Sequence, residues 1–321
     1  MFFVAELSAN HNGSLSRALE IIDAMAGKAD AIKFQTWSPD TMCVDYKIKT
    51  GHWSGRDMKD LYREAHTPWE WHPQLFKRAR RRKLIPFSSP FDKESVDFLE
   101  TLECPIYKIA SLELVDLELI EYTAKTGKPM IMSTGAASTN EIRAAVKTAR
   151  QYCKDLTLLH CVSEYPTDYK NVNLKTMSAL KRFGCAIGIS DHSHGSIVPI
   201  TATALGSQVI EKHVTISKTG LDASFSMLPS EYASMVRQCQ DVETIMGRIK
   251  FNGESELRRA LFWNQDLKKG TVVKREHMKT ARPNIGVSPI KIDRIIGRKL
   301  KRGVKTNEPV QDTGLLLSSP D

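Results

Sequence analysis

The chain has 321 residues, 41% of them hydrophobic and 26% charged, and its 46 Lys and Arg against 37 Asp and Glu give a formal charge of +9. That length supports one large domain, or a large and a small one, each with a core, and no apolar run approaches the roughly 18 residues of a membrane span. The six cysteines (Cys43, Cys104, Cys153, Cys161, Cys185, Cys239) are scattered without a CxxC pair, which argues for free thiols in a reducing compartment rather than a disulfide framework.

Short apolar runs alternate with amphipathic spans. The N-terminal run meets Glu6 at once and lacks the basic region and cleavage site of a secretory signal, so it reads as a first strand and the protein as cytoplasmic. Strands are predicted at Phe2–Leu7, Ala31–Gln35, Leu84–Ser88, Ile106–Ala110, Met130–Ser133, Leu156–Cys161, Ala186–Ser190 and Val209–Val214. Helices are predicted over 14–27, 69–82, 92–102, 113–126, 138–153, 173–183, 196–206 and 229–248. Ser138-Thr139-Asn140-Glu141 is a start signal, and Gly127, Gly184, Gly206 and Gly247 are stops. The basic run Lys77–Lys83 closes the second helix, where cations suit the C-terminal end. No aromatic-interleaved groove or nucleic-acid motif accompanies it, so no nucleic-acid or membrane partner is expected.

Eight strand–helix units over residues 1–250 match the repeat of a (β/α)8 TIM barrel in the α/β class. A doubly wound open sheet is the competitor, weakened by the absence of a GxGxxG turn. Residues 251–264 read as a linker containing Phe251-Asn252-Gly253-Glu254. Residues 265–321 read as a small, mostly β domain with turns at Gly270, Gly286, Gly297 and Gly303, frayed at Ser318–Asp321.

The strand ends carry the functional signal. Each predicted run closes on polar groups: Glu6, Lys33 with Gln35, Ser88-Ser89, Lys108 with Ser111, Ser133-Thr134, His160, Ser190 with His192, and Glu211 with His213. In a parallel barrel these all reach one rim, where such barrels hold their active sites. The stretch Ile187–Thr215 is a βαβ unit whose neighbouring strands end in His192 and His213, close enough to share a divalent ion, each beside a carboxylate able to orient the ring. Taken alone, either histidine reads more simply as a hydrogen-bonded structural residue. Two neutral imidazoles plus water suit Mn²⁺, Mg²⁺ or Co²⁺, with Zn²⁺ less constrained, and Gln35 suits a metal-bound water. Lys33 and Lys108 suit an anionic ligand; a snorkelling lysine or a Schiff-base lysine is the alternative. Ser111, Ser133, Thr134 and Ser190 supply hydroxyls to the same face, where Gly135 lets backbone approach.

These residues resemble the sialic (nonulosonic) acid synthase family. The motifs are Ala5-Glu6-Leu7-Ser8-Ala9-Asn10-His11-Asn12-Gly13, Lys33-Phe34-Gln35-Thr36, Tyr107-Lys108-Ile109-Ala110-Ser111, Ser133-Thr134-Gly135, Tyr165-Pro166, Ser190-Asp191-His192 and Glu211-Lys212-His213, in the family's order. The C-terminal segment resembles that family's SAF (antifreeze-like) domain, with Arg282-Pro283 in its signature. Thr67-Pro68-Trp69-Glu70-Trp71-His72 and Phe87-Ser88-Ser89-Pro90-Phe91-Asp92 resemble its pseudaminic acid synthase branch.

The resemblance implies a transferase that condenses phosphoenolpyruvate with an amino-sugar aldose and works as a domain-exchanged homodimer. It implies that Lys33, Lys108, Ser111, Ser133, Thr134 and Ser190 hold phosphoenolpyruvate. It implies that His192 and His213 bind a divalent metal, Mn²⁺ before Mg²⁺ or Co²⁺, with Gln35 nearby. Glu113, Glu211 and Lys108 take catalytic roles; Asn12, Ser163, Tyr165 and Asp222 line the sugar side, and Arg282 reaches a partner's site. Ser163 stands where many neuraminate synthases carry Asn, and Asn12 where some carry Glu. The 2,4-diacetamido-2,4,6-trideoxy-L-altrose of the pseudaminate branch is the expected sugar. An N-acetylneuraminate or legionaminate synthase, and a carbohydrate-binding protein without catalysis, are the other readings.

Overall fold

The computed structural model describes residues 1–251, 253 and 255–311, so the frayed C-terminus expected above lies outside the described residues. Contacts divide the chain into two units, Met1–Gly247 and Arg248–Asp321.

The first unit is a closed barrel of eight parallel strands in chain order. They are β1 (Phe2–Glu6), β2 (Ala31–Thr36), β3 (Ile85–Pro90), β4 (Tyr107–Ile109), β5 (Met130–Ser133), β6 (Leu156–Cys161), β7 (Ala186–Asp191) and β8 (Val209–His213). The open-sheet alternative is excluded by the pairing of β8 back onto β1, with Glu6 opposite His213. Strands covered on both faces read as nearly continuous apolar runs, which is why the sequence marks them within one or two residues. Their outer faces meet helices that bury Ala18, Ile21, Ile22 and Met25, or Ile142, Ala145, Val146 and Ala149. Caps set where the helices begin: the Ser14 hydroxyl accepts from Arg17 N, Asp92 from Ser95 N, and Ser138 with Glu141 forms a reciprocal pair.

The 229–248 helix spans Pro229–Met246. Sequence reading missed the helix Met58–Ala65, which packs against the short helix Pro39–Met42: Met58, Leu61, Tyr62 and Ala65 do recur at helical spacing, but over only two turns, and only Leu61 is buried. The basic run ends as a helix face tied to its neighbours: the Arg78 guanidinium donates to both carboxylate oxygens of Asp23 at 2.7 and 2.6 Å, and Arg82 Nε to Asp23 at 2.7 Å. The six cysteines are all unpaired. No helix among the described residues is long and apolar enough to cross a membrane.

In the second unit β9 (Ala260–Trp263) pairs antiparallel with β10 (Met278–Ala281). The expected linker runs through residues 260–263, although Leu261–Trp263 also reads as a short strand. They belong to this unit, because Leu261 and Trp263 are fully buried with Val273, Ile295, Leu300, Val304 and Val310. Leu261–Trp263 is legible as a short strand, but a run of that length does not show which unit it pairs with.

Candidate active site

Register brings the polar strand ends level. Glu6 lies opposite Lys33, Gln35 opposite Ser89, Cys161 opposite Ser190 and Ser190 opposite Glu211. Lys33 Nζ is 2.7 Å from Glu6 Oε2 and 3.9 Å from Glu211 Oε1, and Lys108 Nζ is 4.0 Å from the same Glu211 oxygen. The Ser190 hydroxyl donates to that oxygen at 2.9 Å. Two ammonium groups, 3% and 2% exposed, therefore share one buried carboxylate.

Their electrostatics differ. Burial alone would depress Lys33, but Glu211 and Glu6 outweigh it and hold the ammonium above the usual lysine range. Burial pushes Lys108 down against the pull of Glu211, and the neighbouring Lys33 charge adds to the fall. Burial would raise Glu211, yet Lys108 and Lys33 outweigh it and hold the carboxyl well below its ordinary value. Both lysines are committed to the rim; neither snorkels to bulk water.

The two imidazoles meet beside this cluster, with ring centroids 5.2 Å apart at 71°. His192 Nδ1 lies 3.0 Å from the Val162 carbonyl oxygen, which only accepts, so that nitrogen carries a proton and Nε2 is the ring nitrogen left for another partner. His213 Nδ1 faces Asp222 Oδ2 at 3.6 Å. The carboxylates adjacent in sequence do not orient the rings as expected. Neighbours along a strand point to opposite faces, so Asp191 turns outward and takes the buried Lys212 ammonium at 2.6 Å; Glu211, two residues before His213, shares its face but is taken up by Lys33 and Lys108.

The donor set suits a divalent cation. His213 Nδ1 and Glu211 Oε2 are buried without hydrogen-bond partners. Among the described residues no group of three or more His, Cys, Asp or Glu is placed to hold a metal ion, so a cation at the two imidazoles would need water or substrate oxygens for the rest of its shell. Gln35 Nε2 donates to Glu6 Oε1 at 2.8 Å and Ser8 Oγ at 3.1 Å, so only its carbonyl oxygen remains for a bound water.

The hydroxyls divide. Ser133 Oγ and Ser163 Oγ are buried and unpartnered. Ser111 Oγ accepts from Gly135 N at 3.1 Å and keeps its own proton to donate. A side chain at Gly135 would place a Cβ 2.7 Å from Ser163 Oγ and 2.8 Å from Ser111 Oγ, so only glycine leaves both in place. The Thr134 hydroxyl is turned back onto the backbone: it donates to the Leu159 carbonyl at 3.0 Å, an oxygen that also accepts from Thr134 N at 3.0 Å.

Glu113 sits on the short 3-10 turn Leu112–Val115 after β4. Burial pushes its carboxyl up to about 7, with Lys108 opposing. A folded-state value above the unfolded one means the native protein holds a proton that the unfolded chain releases, so stability falls as pH rises from about 4.5 to about 7 and levels off above. E113Q is therefore expected to unfold at higher urea than wild type above pH 7 and to match it below pH 4.5; urea midpoints across that range check the sign.

The remaining expected residues lie around this centre. Asp222 is buried and accepts from Ala9 N at 3.3 Å, which makes it a support for His213. Tyr165 lies 4.3 Å from the His192 ring. Asn12 Nδ2 donates to the Thr219 carbonyl at 2.9 Å and ties two loops together. Arg282 is exposed after β10 in the second unit. Sequence reading missed Phe225, whose ring lies 5.1 Å from His213 and 5.3 Å from Tyr165. It missed Trp53 too, 5.2 Å from Tyr165. Both stand in aperiodic loops; an aromatic in a charged or glycine-rich loop was the available signal. A cavity of about 450 Å³ lined by His194, Lys218, Glu231 and Gln238 shares only Phe225 with this cluster, and Lys218 and Glu231 already pair there at 3.3 Å.

A closed parallel barrel with buried cations and imidazoles at its carboxyl rim defines a barrel enzyme. The chain belongs to the NeuB family, whose model matches residues 21–251, and it carries an SAF domain, matched over 258–316. It is 40% identical to the pseudaminic acid synthase of Helicobacter pylori over 96% of this chain and 95% of that one. It is 34% identical to the N,N'-diacetyllegionaminic acid synthase of Legionella pneumophila over 93% of this chain and 90% of that one. The solved N-acetylneuraminic acid (sialic acid) synthetase of Leptospira borgpetersenii, in complex with citrate, shares 33% identity at a TM-score of 0.73, covering 79% of this chain and 87% of that chain. The chain is accordingly an enzyme, a carbon–carbon bond-forming transferase of the nonulosonic acid synthase class.

Proposed function

We propose that this enzyme condenses phosphoenolpyruvate with 2,4-diacetamido-2,4,6-trideoxy-L-altrose and water to give pseudaminate and phosphate. The observation that carries the chemistry is the pair of buried ammonium groups, Lys33 and Lys108, held by one carboxylate beside two imidazoles. For the sugar, three relatives named pseudaminic acid synthase are 38–40% identical over nearly the whole chain, against 32–34% for those named for diacetyllegionaminate.

Lys33 and Lys108 hold the anionic groups of phosphoenolpyruvate, with Ser111, Ser133 and Ser190 donating hydroxyl protons to them. Glu211 stays ionised between the two lysines, while burial raises the Glu6 carboxyl against the pull of Lys33; His192 and His213 would hold a divalent cation, which would add positive charge beside the bound anion. When bound, that cation (Mn²⁺, or Mg²⁺ or Co²⁺) serves as a Lewis acid for the sugar aldehyde. The new bond joins C3 of phosphoenolpyruvate to the aldehyde carbon, water adds at C2, and phosphate leaves with its bridging oxygen as the C–O bond breaks. Glu113 is poised near neutrality to hold or give the proton this sequence moves, and Glu211 stays ionised beside the lysines. Tyr165 and Ser163 face the sugar, Asp222 keeps His213 in place, and Arg282 from a second copy completes the sugar site in a domain-exchanged dimer.

The test is phosphate release from phosphoenolpyruvate with Mn²⁺ and a panel of 2-acetamido aldoses. The diacetamido altrose is expected to give the highest kcat/KM, and phosphoenolpyruvate labelled with ¹⁸O at the bridging position is expected to pass the label to phosphate. Preference for N-acetylmannosamine, or for the diacetamido mannose isomer, would reassign the enzyme to the neuraminate or legionaminate reaction. No release with any acceptor would end the reading.

A further inference from the structure

The β2 excursion folds back on itself before the helix Met58–Ala65. Lys47 bridges Asp57, Ile48 N donates to the Arg56 carbonyl at 2.9 Å, and Gly55 N donates to the Ile48 carbonyl at 2.8 Å. Its flanks are charged, with Asp45, Lys47, Lys49, Arg56 and Asp57, while its tip carries His52 and Trp53. The tip is laid on the active-site aromatics. The Trp53 ring is 5.2 Å from Tyr165, and His52 is 6.5 Å from Phe225. Tyr165 in turn lies 4.3 Å from His192, and Phe225 lies 5.1 Å from His213. A chain of rings thus runs from the imidazoles to the hairpin tip, and Trp53 stands one ring further out than Tyr165.

Trp53 Nε1 is buried and has no hydrogen-bond partner. A buried indole N–H without an acceptor is costly and is normally matched by one. An acetamido group answers both features of this wall, since its carbonyl oxygen accepts from an N–H and its methyl packs on aromatic faces. With the aldehyde end of the acceptor at the imidazoles, the group that reaches beyond Tyr165 belongs to the far half of the sugar.

We propose that Trp53 is a specificity residue that takes the acetamido group at C4 of the acceptor, its Nε1–H donating to the amide oxygen and the rings of Trp53 and Tyr165 covering the methyl. This rests on the acceptor assigned above. It makes the β2 hairpin the part of the barrel that tells a 2,4-diacetamido sugar from one bearing a hydroxyl at C4.

The experiment compares wild type, W53F and W53A, each loaded with Mn²⁺ and phosphoenolpyruvate, on the diacetamido altrose and on its analogue with a C4 hydroxyl. The readout is the ratio of the two kcat/KM values. W53F keeps a ring but loses the N–H, and its ratio is expected to fall about tenfold, the loss of one hydrogen bond at about 1.4 kcal/mol per decade. W53A loses ring and N–H, and its ratio is expected to fall about a hundredfold. General loosening of the loop would lower both acceptors alike and leave the ratio at its wild-type value; a wild-type ratio in both variants overturns the proposal. If wild type itself turns over neither acceptor, the assigned reaction fails and this inference falls with it, an outcome distinct from intact turnover with an unchanged ratio.

Discussion

Replacing His213 by alanine is expected to lower kcat about a thousandfold and to strip the enzyme of bound Mn²⁺. The ring is one of two imidazoles in the cluster, it stands 5.2 Å from His192, and its Nδ1 is turned toward the buried Asp222 carboxylate. Lewis-acid stabilisation contributes several kcal/mol, and about 4 kcal/mol corresponds to three decades in rate. Asp222 also loses its facing ring, so thermal unfolding of H213A should be recorded beside Mn²⁺ affinity by electron paramagnetic resonance. Full turnover by metal-stripped H213A would refute the metal role outright.

The second large effect is expected from Lys108. In K108M the affinity for phosphoenolpyruvate should fall about a hundredfold, the value of a charge-assisted contact at the upper end of its range. The same change leaves Glu211 buried with one ammonium, Lys33 at 3.9 Å, instead of two. A stability loss of up to about 3 kcal/mol should follow, because breaking one side of a buried ion cluster exposes the desolvation cost of the other. Adding E211Q removes the orphaned charge and should restore much of the stability without restoring affinity. Calorimetric titration with phosphoenolpyruvate and urea unfolding of the single and double variants separate the two effects. An unchanged affinity in K108M would discard the anion cradle.

Much of this was legible in the sequence, and for a physical reason. Parallel strands covered on both faces are apolar runs, so β1 to β8 announce themselves, and the polar residue that ends each run must lie at one rim once the barrel closes. Lys33, Lys108, Glu211, His192 and His213 follow from that rule, and the structure brings them together. What the sequence does not show is direction and partnership. Asp191 and His192 are adjacent, yet the pleat sends one to Lys212 and the other to the Val162 carbonyl. The Thr134 hydroxyl is spent on a backbone acceptor, and Asp222 comes from the loop after β8 to meet His213. Trp53 and Phe225 reach the site from loops whose path no periodicity encodes. The second unit begins earlier than expected for a related reason, since the Leu261–Trp263 run reads as a short strand without showing that its partner is Met278–Ala281.

The most direct test is a crystal structure of the enzyme grown with Mn²⁺ and phosphoenolpyruvate and no acceptor sugar. The phosphate and carboxylate should lie within hydrogen-bond reach of the Lys33 and Lys108 ammonium groups, with the ion on the imidazoles of His192 and His213. Density for the enol phosphate at any other face of the barrel, or an ion bound away from both rings, would contradict it.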